Sequence, residues 1–328
     1  MSQKGIVSSQ KVENFVLNSL FFIFASVVGI YLLYVFGSEG ISNDFAGYIG
    51  LFERLSYSSF NESFVREITE PGYLLIVWIL SKSLSPETIF FLAGLFPLLY
   101  KINLLRRIDY GVGAVLFYFL LFLPIQESNQ IRGALAGCFI LLSLFLDNHH
   151  PSRYLILGAA AALFHYSGII IFAFFLFSKT NSNLLALIGL FVVSLAWNTL
   201  LTSVSAFNFL LHQASGTELG VTFTNPIFWL QISIIISCLF IYRDLTYYQK
   251  KGFHLILLGA ATYIFFADTP VIAHRIRELS LLGLFPLIFT RYTSITLSSL
   301  YNYLASLLIA VYTFSFTFGE VLGYFSIF

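Results

Sequence analysis

Apolar runs of spanning or near-spanning length recur from one end of the chain to the other, separated by short polar stretches. They fall at about 16–36, 72–84, 87–105, 112–126, 131–147, 154–177, 184–201, 227–242, 253–267, 279–291 and 296–318. The pattern predicts an all-α, polytopic integral membrane protein of about 10–11 transmembrane helices, one transmembrane domain over 1–328 with no soluble domain and no linker. The first run is too long for a signal-peptide core and reads as an uncleaved span. The 72–84 run is short and reads as a re-entrant or half-buried helix.

Two polar stretches are long enough to form functional loops outside the cytoplasm, 37–70 and 202–226. The first carries Glu39, Asp44, Glu53, Glu62, Glu67 and Glu70 against only Arg54 and Arg66. The second holds His212 and Glu218, with an amphipathic piece over Phe207 to His212. Basic residues gather at Lys101/Arg106/Arg107 and at Arg243/Lys250/Lys251, which the positive-inside rule assigns to the cytoplasm. If every run crosses once, these assignments collide, because the acidic loop and the first basic cluster share a side. A re-entrant 72–84 repairs that end and moves the conflict to 243–251. A second irregular segment, placed near 202–226, is then required, and such segments belong where they line a protein cavity.

Composition agrees: 58% of residues are hydrophobic and 10% charged, where a soluble domain has about a quarter charged. A net charge of +1 gives no field to gather nucleic acid. Cys138 and Cys238 lie in apolar runs without metal-ligand spacing and read as packing residues. The 19 tyrosines divide between interfacial anchors and a carbohydrate-binding surface.

Against this background the polar residues inside or beside apolar runs become informative, since ionisable side chains at bilayer depth face a cavity or a partner. His165 stands in His165-Tyr166-Ser167, within the 154–177 run. It is either a neutral imidazole satisfied locally or a general base. Glu70 precedes Pro71 at a helix start, where the dipole alone would favour a carboxylate; the alternative is a base, or an acceptor for a sugar hydroxyl. Arg132 opens a helix after the polar run Gln126 to Gln130, and its planar fork suits phosphate or carboxylate unless it merely snorkels. His274, Arg275, Arg277 and Glu278 are either a self-satisfied helical network or an anion site through the two arginines. Asp44 and Tyr48 are one turn apart and would share a groove. His149-His150 reads as interfacial. There is no phosphate loop, HExxH, GxSxG, dinucleotide fingerprint or Asp-x-Asp, so an enzyme here would use neither metal nor cofactor.

The order of these motifs resembles the EpsG family, a branch of the Wzy-type polysaccharide polymerases. The residues that carry the likeness are Asp44 with Tyr48, Glu70-Pro71-Gly72-Tyr73, Ile131-Arg132-Gly133-Ala134-Leu135-Ala136 and Phe164-His165-Tyr166-Ser167. It covers about 20–180 well and the remainder through hydropathy and Arg275/Arg277; Gly133 departs from the common glutamine. The resemblance implies a GT-C-like membrane glycosyltransferase with a polar cavity among broken helices. Its substrates would be undecaprenyl-diphosphate-linked oligosaccharides, joined on the outer face of the bacterial inner membrane. Arg132, Arg275 and Arg277 would hold the diphosphate, and Glu70 or His165 would activate the acceptor hydroxyl with Asp44 in reserve. Tyr48, Tyr73, Gln130, Tyr166 and Glu278 would line the glycan site. The bilayer, a chain-length regulator and a flippase would be partners. A ligase, a flippase-type transporter and a membrane acyltransferase are the competing readings.

Overall fold

The computed structural model describes residues 3–37, 42, 44–67, 69–128, 130–146, 151–169, 225–266, 270–291 and 296–321. Among these the chain is helical and no strand occurs. The first half comprises α1 (Gln3–Phe36), α2 (Phe45–Tyr57), α3 (Phe60–Arg66), α4 (Pro71–Ser81), α5 (Pro86–Leu105), α6 (Gly111–Leu121), α7 (Ile131–Leu144) and α8 (Pro151–Phe164). The second comprises α9 (Pro226–Phe240), α10 (Tyr247–Phe265), α11 (Pro270–Ser280), α12 (Leu284–Phe289) and α13 (Leu297–Val321). A π-turn, Leu123–Glu127, joins α6 to α7; short 3-10 turns follow α8 (Tyr166–Ile169) and α11 (Leu281–Gly283).

Local chemistry sets many of the helix starts. Proline occupies the first turn of α4, α5 and α9, where its missing N–H costs nothing. Ser85 and Asn225 cap the second and third of these through their side chains. Ser59 with Glu62, and Thr246 with Gln249, form capping boxes at α3 and α10. The acidic stretch that reads as a loop is therefore folded into α2 and α3.

Val16–Phe36, Pro86–Leu105 and Leu297–Ser315 are long and apolar enough to cross a membrane; α4, α6, α7, α8 and α9 are shorter apolar helices. Leu20, Phe24 and Tyr31 on α1, and Leu304 and Leu308 on α13, are exposed, as the lipid-facing positions of a spanning helix would be. The chain is a multi-pass membrane protein.

Contacts between helix ends resolve the topological conflict. Arg106 donates to the Asn18 carbonyl at 3.0 Å, while a Cβ on Gly37 would lie 3.3 Å from Phe90. Helices α1 and α5 are therefore antiparallel, and α2, α3 and α4 all lie at one end of them. The 71–81 helix does not cross: it runs beside α2, and Lys82 after it donates to the carbonyls of Leu55, Ser56 and Ser58 at 2.8, 3.0 and 2.7 Å. That ammonium satisfies the open C-terminal carbonyls of α2. At the opposite end Tyr110 donates to Phe289 and Gln249 to Thr290, which places Arg243 and Lys250 with Arg106 and Arg107. Both basic rims thus share one end, and α2 to α4 occupy the other. Helix α8 ends and α9 begins at the α2–α4 end; the 184–201 run and most of the 202–226 loop between them, with His212 and Glu218, lie outside the described residues, as do His149 and His150.

Three sequence expectations change. The 154–177 run does not continue as one helix through His165, because α8 stops at Phe164 and a 3-10 turn follows. The 279–291 run is not one helix: α11, which carries His274 to Glu278, ends at Ser280, and a 3-10 turn separates it from α12. Lys101 leaves the basic rim and is fully buried on α5.

Candidate active site

Glu70 is the centre of the site. It occupies the N-cap position of α4 yet caps nothing with its side chain. Its carboxylate instead turns inward, 2% exposed, and uses both oxygens. Oε2 accepts from Arg132 Nη1 at 2.6 Å and from Thr69 Oγ1 at 3.0 Å. Oε1 accepts from the Tyr166 backbone N–H at 3.3 Å and lies 2.9 Å from His165 Nδ1. A carboxylate in this setting only accepts, so the proton of the imidazole is assigned to Nδ1 and the lone pair to Nε2. Burial alone would raise the carboxyl; the His165 hydrogen bond and the Arg132 charge outweigh it and hold the group at about 2. A depressed carboxyl contributes stability above its ordinary range and loses it as pH falls towards 2, so Glu70 is ionised throughout the physiological range.

The chain reaches this geometry through two glycines and two helix ends. A Cβ on Gly72 would sit 2.9 Å from both the Cβ and the carbonyl oxygen of Leu163, so only glycine lets the first turn of α4 lie on the last turn of α8. Gly168 folds the 3-10 turn back onto Ala161, where a Cβ would fall 2.6 Å from the backbone. These two contacts deliver His165, just past the end of α8, to Glu70. Gly72→Ala is expected to separate α4 from α8 and abolish the function while the helical content stays. Circular dichroism with a cysteine crosslink placed across α4 and α8 checks this, and an unaltered crosslink yield would contradict it.

Arg132, on the first turn of α7, also reaches Thr69 Oγ1 at 3.1 Å, and its Nε donates to the Tyr48 hydroxyl at 3.4 Å. Its Nη2 is engaged by no described residue, and 35% of its side chain is open. Tyr48 projects from α2, and Asp44 just before that helix lies 3.8 Å from Arg275 on α11. Arg275 is equally far from Glu278, and its Nη1 has no hydrogen-bond acceptor among the described residues. One constellation therefore joins Asp44, Tyr48, Glu70, Arg132, His165, Tyr166 and Arg275 from five separate stretches of sequence.

Other residues are placed differently. Arg277 points away from Arg275 on α11 and is 4% exposed, its guanidinium 4.6 Å from the Tyr263 ring centroid. Its Nε and Nη1 have no acceptor among the described residues. Tyr73 is buried with Tyr48 in an apolar cluster that includes Phe52, Leu74 and Phe90. Gln130 lies beside Gly133, whose Cβ position is 3.4 Å from His165 Cδ2. Thr69 was not singled out in the sequence; adjacency to Glu70 is the only signal that could have found it. Among the described residues no group of His, Cys, Asp or Glu is arranged to hold a metal.

The fold and this constellation define a multi-pass membrane protein with an ionisable site buried where several helices end. Such groups are costly inside a bilayer and mark function. The chain belongs to the EpsG family, whose profile matches residues 20–326, and that family is associated with Wzy-type polysaccharide polymerases. The match runs well past residue 180, through α11 and the whole of α13. No curated protein and no solved structure gives a significant match.

Proposed function

We propose that this protein extends a bacterial envelope polysaccharide, moving a growing glycan from undecaprenyl diphosphate to the non-reducing end of a lipid-linked repeat unit. The observation that carries the reading is the Glu70–Arg132–His165 triad at the α2–α4 end, opposite the basic rims. By the positive-inside rule that end faces away from the cytoplasm, towards the periplasm or exterior.

The chemistry divides among the residues. His165, its Nδ1–H held by Glu70, takes the acceptor hydroxyl proton on Nε2. The acceptor oxygen forms the new bond at the anomeric carbon as the bond to the diphosphate oxygen breaks. The electron pair leaves with the diphosphate, whose charge is met by the open side of Arg132 and by Arg275. A carboxyl held at about 2 is a weak proton acceptor, so Glu70 acts by fixing the tautomer of His165 and the direction of Arg132. Asp44 and Glu278 hold Arg275 loosely enough to release it to phosphate. Tyr48, Tyr166 and Gln130 border the glycan path, and Tyr73 supports Tyr48 from below. Arg277, buried against Tyr263 on the far side of α11 from Arg275, takes no part in holding the donor.

The purified full-length protein in lipid nanodiscs, given undecaprenyl-diphosphate-linked repeat units, is expected to form a ladder of lengthened glycans with EDTA present. A chelator-sensitive ladder would remove the metal-free mechanism. Movement of lipid-linked units across vesicles without any lengthening would replace the polymerase with a transporter.

A further inference from the structure

The polar run before Arg132 reads in the sequence as part of the site, but the structure turns most of it away. Gln126, Glu127 and Ser128 are buried in the bundle interior, below Arg132 rather than beside it. There Lys101 Nζ on α5 lies 2.5 Å from Glu127 Oε1 and 3.2 Å from Gln126 Oε1, with neither charged side chain exposed at all. The ammonium also sits 5.8 Å from the Tyr118 ring centroid.

A fully buried ion pair rarely adds net stability, since desolvation consumes its Coulombic gain; in some proteins it instead selects one arrangement over others. The arrangement here is unusual. Glu127 ends the π-turn, a wide helical turn that is rare in proteins and frequent at functional sites. Ser128 bonds back to the carbonyls of Leu123 and Pro124 at 2.9 and 2.8 Å, and the Gln130 N–H reaches Ile125 at 3.1 Å. Two glycines clear the way. A Cβ on Gly94 would lie 2.6 Å from the Glu127 carbonyl oxygen, and one on Gly137 would lie 3.0 Å from Lys101 Nζ. Helix α7 starts four residues after Glu127, and Arg132 is its second residue.

We propose that Lys101 and Glu127 are positioning residues: their ion pair pins the π-turn in one register and thereby aims Arg132 at Glu70. The proposal rests on the site described above, and its main readout needs no substrate. The double variant Lys101→Met/Glu127→Met removes both charges together and keeps the volume, so no lone charge is left buried and the fold is retained. Full-length protein in nanodiscs is treated with phenylglyoxal, and modification of Arg132 is followed by peptide mass spectrometry, with exposed Arg54 as the internal standard. In the wild type, pairing with Glu70 slows the reaction of Arg132. In the double variant Arg132 is expected to react several-fold faster with Arg54 unchanged. Transfer to lipid-linked repeat units is expected to fall on the order of 10²-fold, mainly in kcat, as a misplaced group requires. The exchanged pair Lys101→Glu/Glu127→Lys restores both readouts.

Wild-type protection of Arg132 in the methionine pair overturns the proposal and leaves the polymerase reading intact. Altered protection in a protein whose wild type transfers nothing removes the polymerase reading and leaves the proposal standing. Should the methionine pair fail to accumulate, Glu127→Gln carries the same expectation at smaller amplitude, and unaltered protection there also overturns it.

Discussion

Arg132→Ala is expected to abolish glycan extension while the protein accumulates close to wild-type levels. Two effects favour the loss of function. The alanine removes the one guanidinium that is both fixed by Glu70 and open on its far side, and with it the preorganised cation that the proposed diphosphate leaving group would need. Loss of a single preorganised donor of this kind costs about 10²–10³ in rate, or about 2.7–4 kcal/mol. The stability penalty is smaller than for a lone buried carboxylate, because His165 remains on Oε1 and water reaches the third of Arg132 that is exposed. Arg132→Lys is expected to rescue only partly, since an ammonium cannot hold Glu70 and Thr69 and still present a planar fork outward. The check is the polymer ladder in a host lacking this gene, run beside an immunoblot. A normal ladder from the alanine variant would sink the assignment of Arg132.

His165→Asn separates the two jobs of the imidazole. The asparagine amide can still donate to Glu70, so the packing of α8 against α4 survives, but it has no basic nitrogen to replace Nε2. Loss of a positioned general base is expected to lower kcat by about 10²–10⁴ with little change in KM. Steady-state transfer kinetics in nanodiscs measure this directly. A variant retaining kcat within about threefold would move the base elsewhere, and Asp44 is then the next residue to test.

The parts of the site legible in the sequence were those with a local signature. Glu70-Pro71-Gly72 announced a helix start with an unused carboxylate, and Arg132 announced a helix opened by a cation in an apolar setting. Their meeting was not legible, because it depends on Gly72 touching Leu163, about ninety residues away in sequence. The end of α8 at Phe164 was hidden for a related reason. Hydropathy continues unchanged through Phe177, and only the packing of Gly168 on Ala161 shows where the helix stops. Opposite orientations of Arg275 and Arg277 follow from helical geometry once both fall inside α11. Helical spacing already grouped His274 and Arg275 with Glu278 and left Arg277 off that face, but which face meets Asp44 and which meets Tyr263 was not legible. Lys101 looked like a rim residue because Arg106 and Arg107 follow it, and its partner Glu127 sits beyond the intervening α6.

The short helices have a consequence for the membrane itself. Helices α7 and α8 have 14 residues each. At about 1.5 Å per residue such a helix covers about 21 Å, well short of a hydrocarbon layer of about 30 Å. Arg132 and His165 stand at the same end of these two helices, so the short span brings the ionisable site close to the hydrocarbon layer. A helix shorter than the hydrocarbon layer is accommodated by local thinning of the bilayer, by snorkelling of flanking polar residues or by association with other helices. On the proposed polymerase reading, a bilayer thinned over these helix ends would let a lipid-anchored substrate reach the site along the membrane plane.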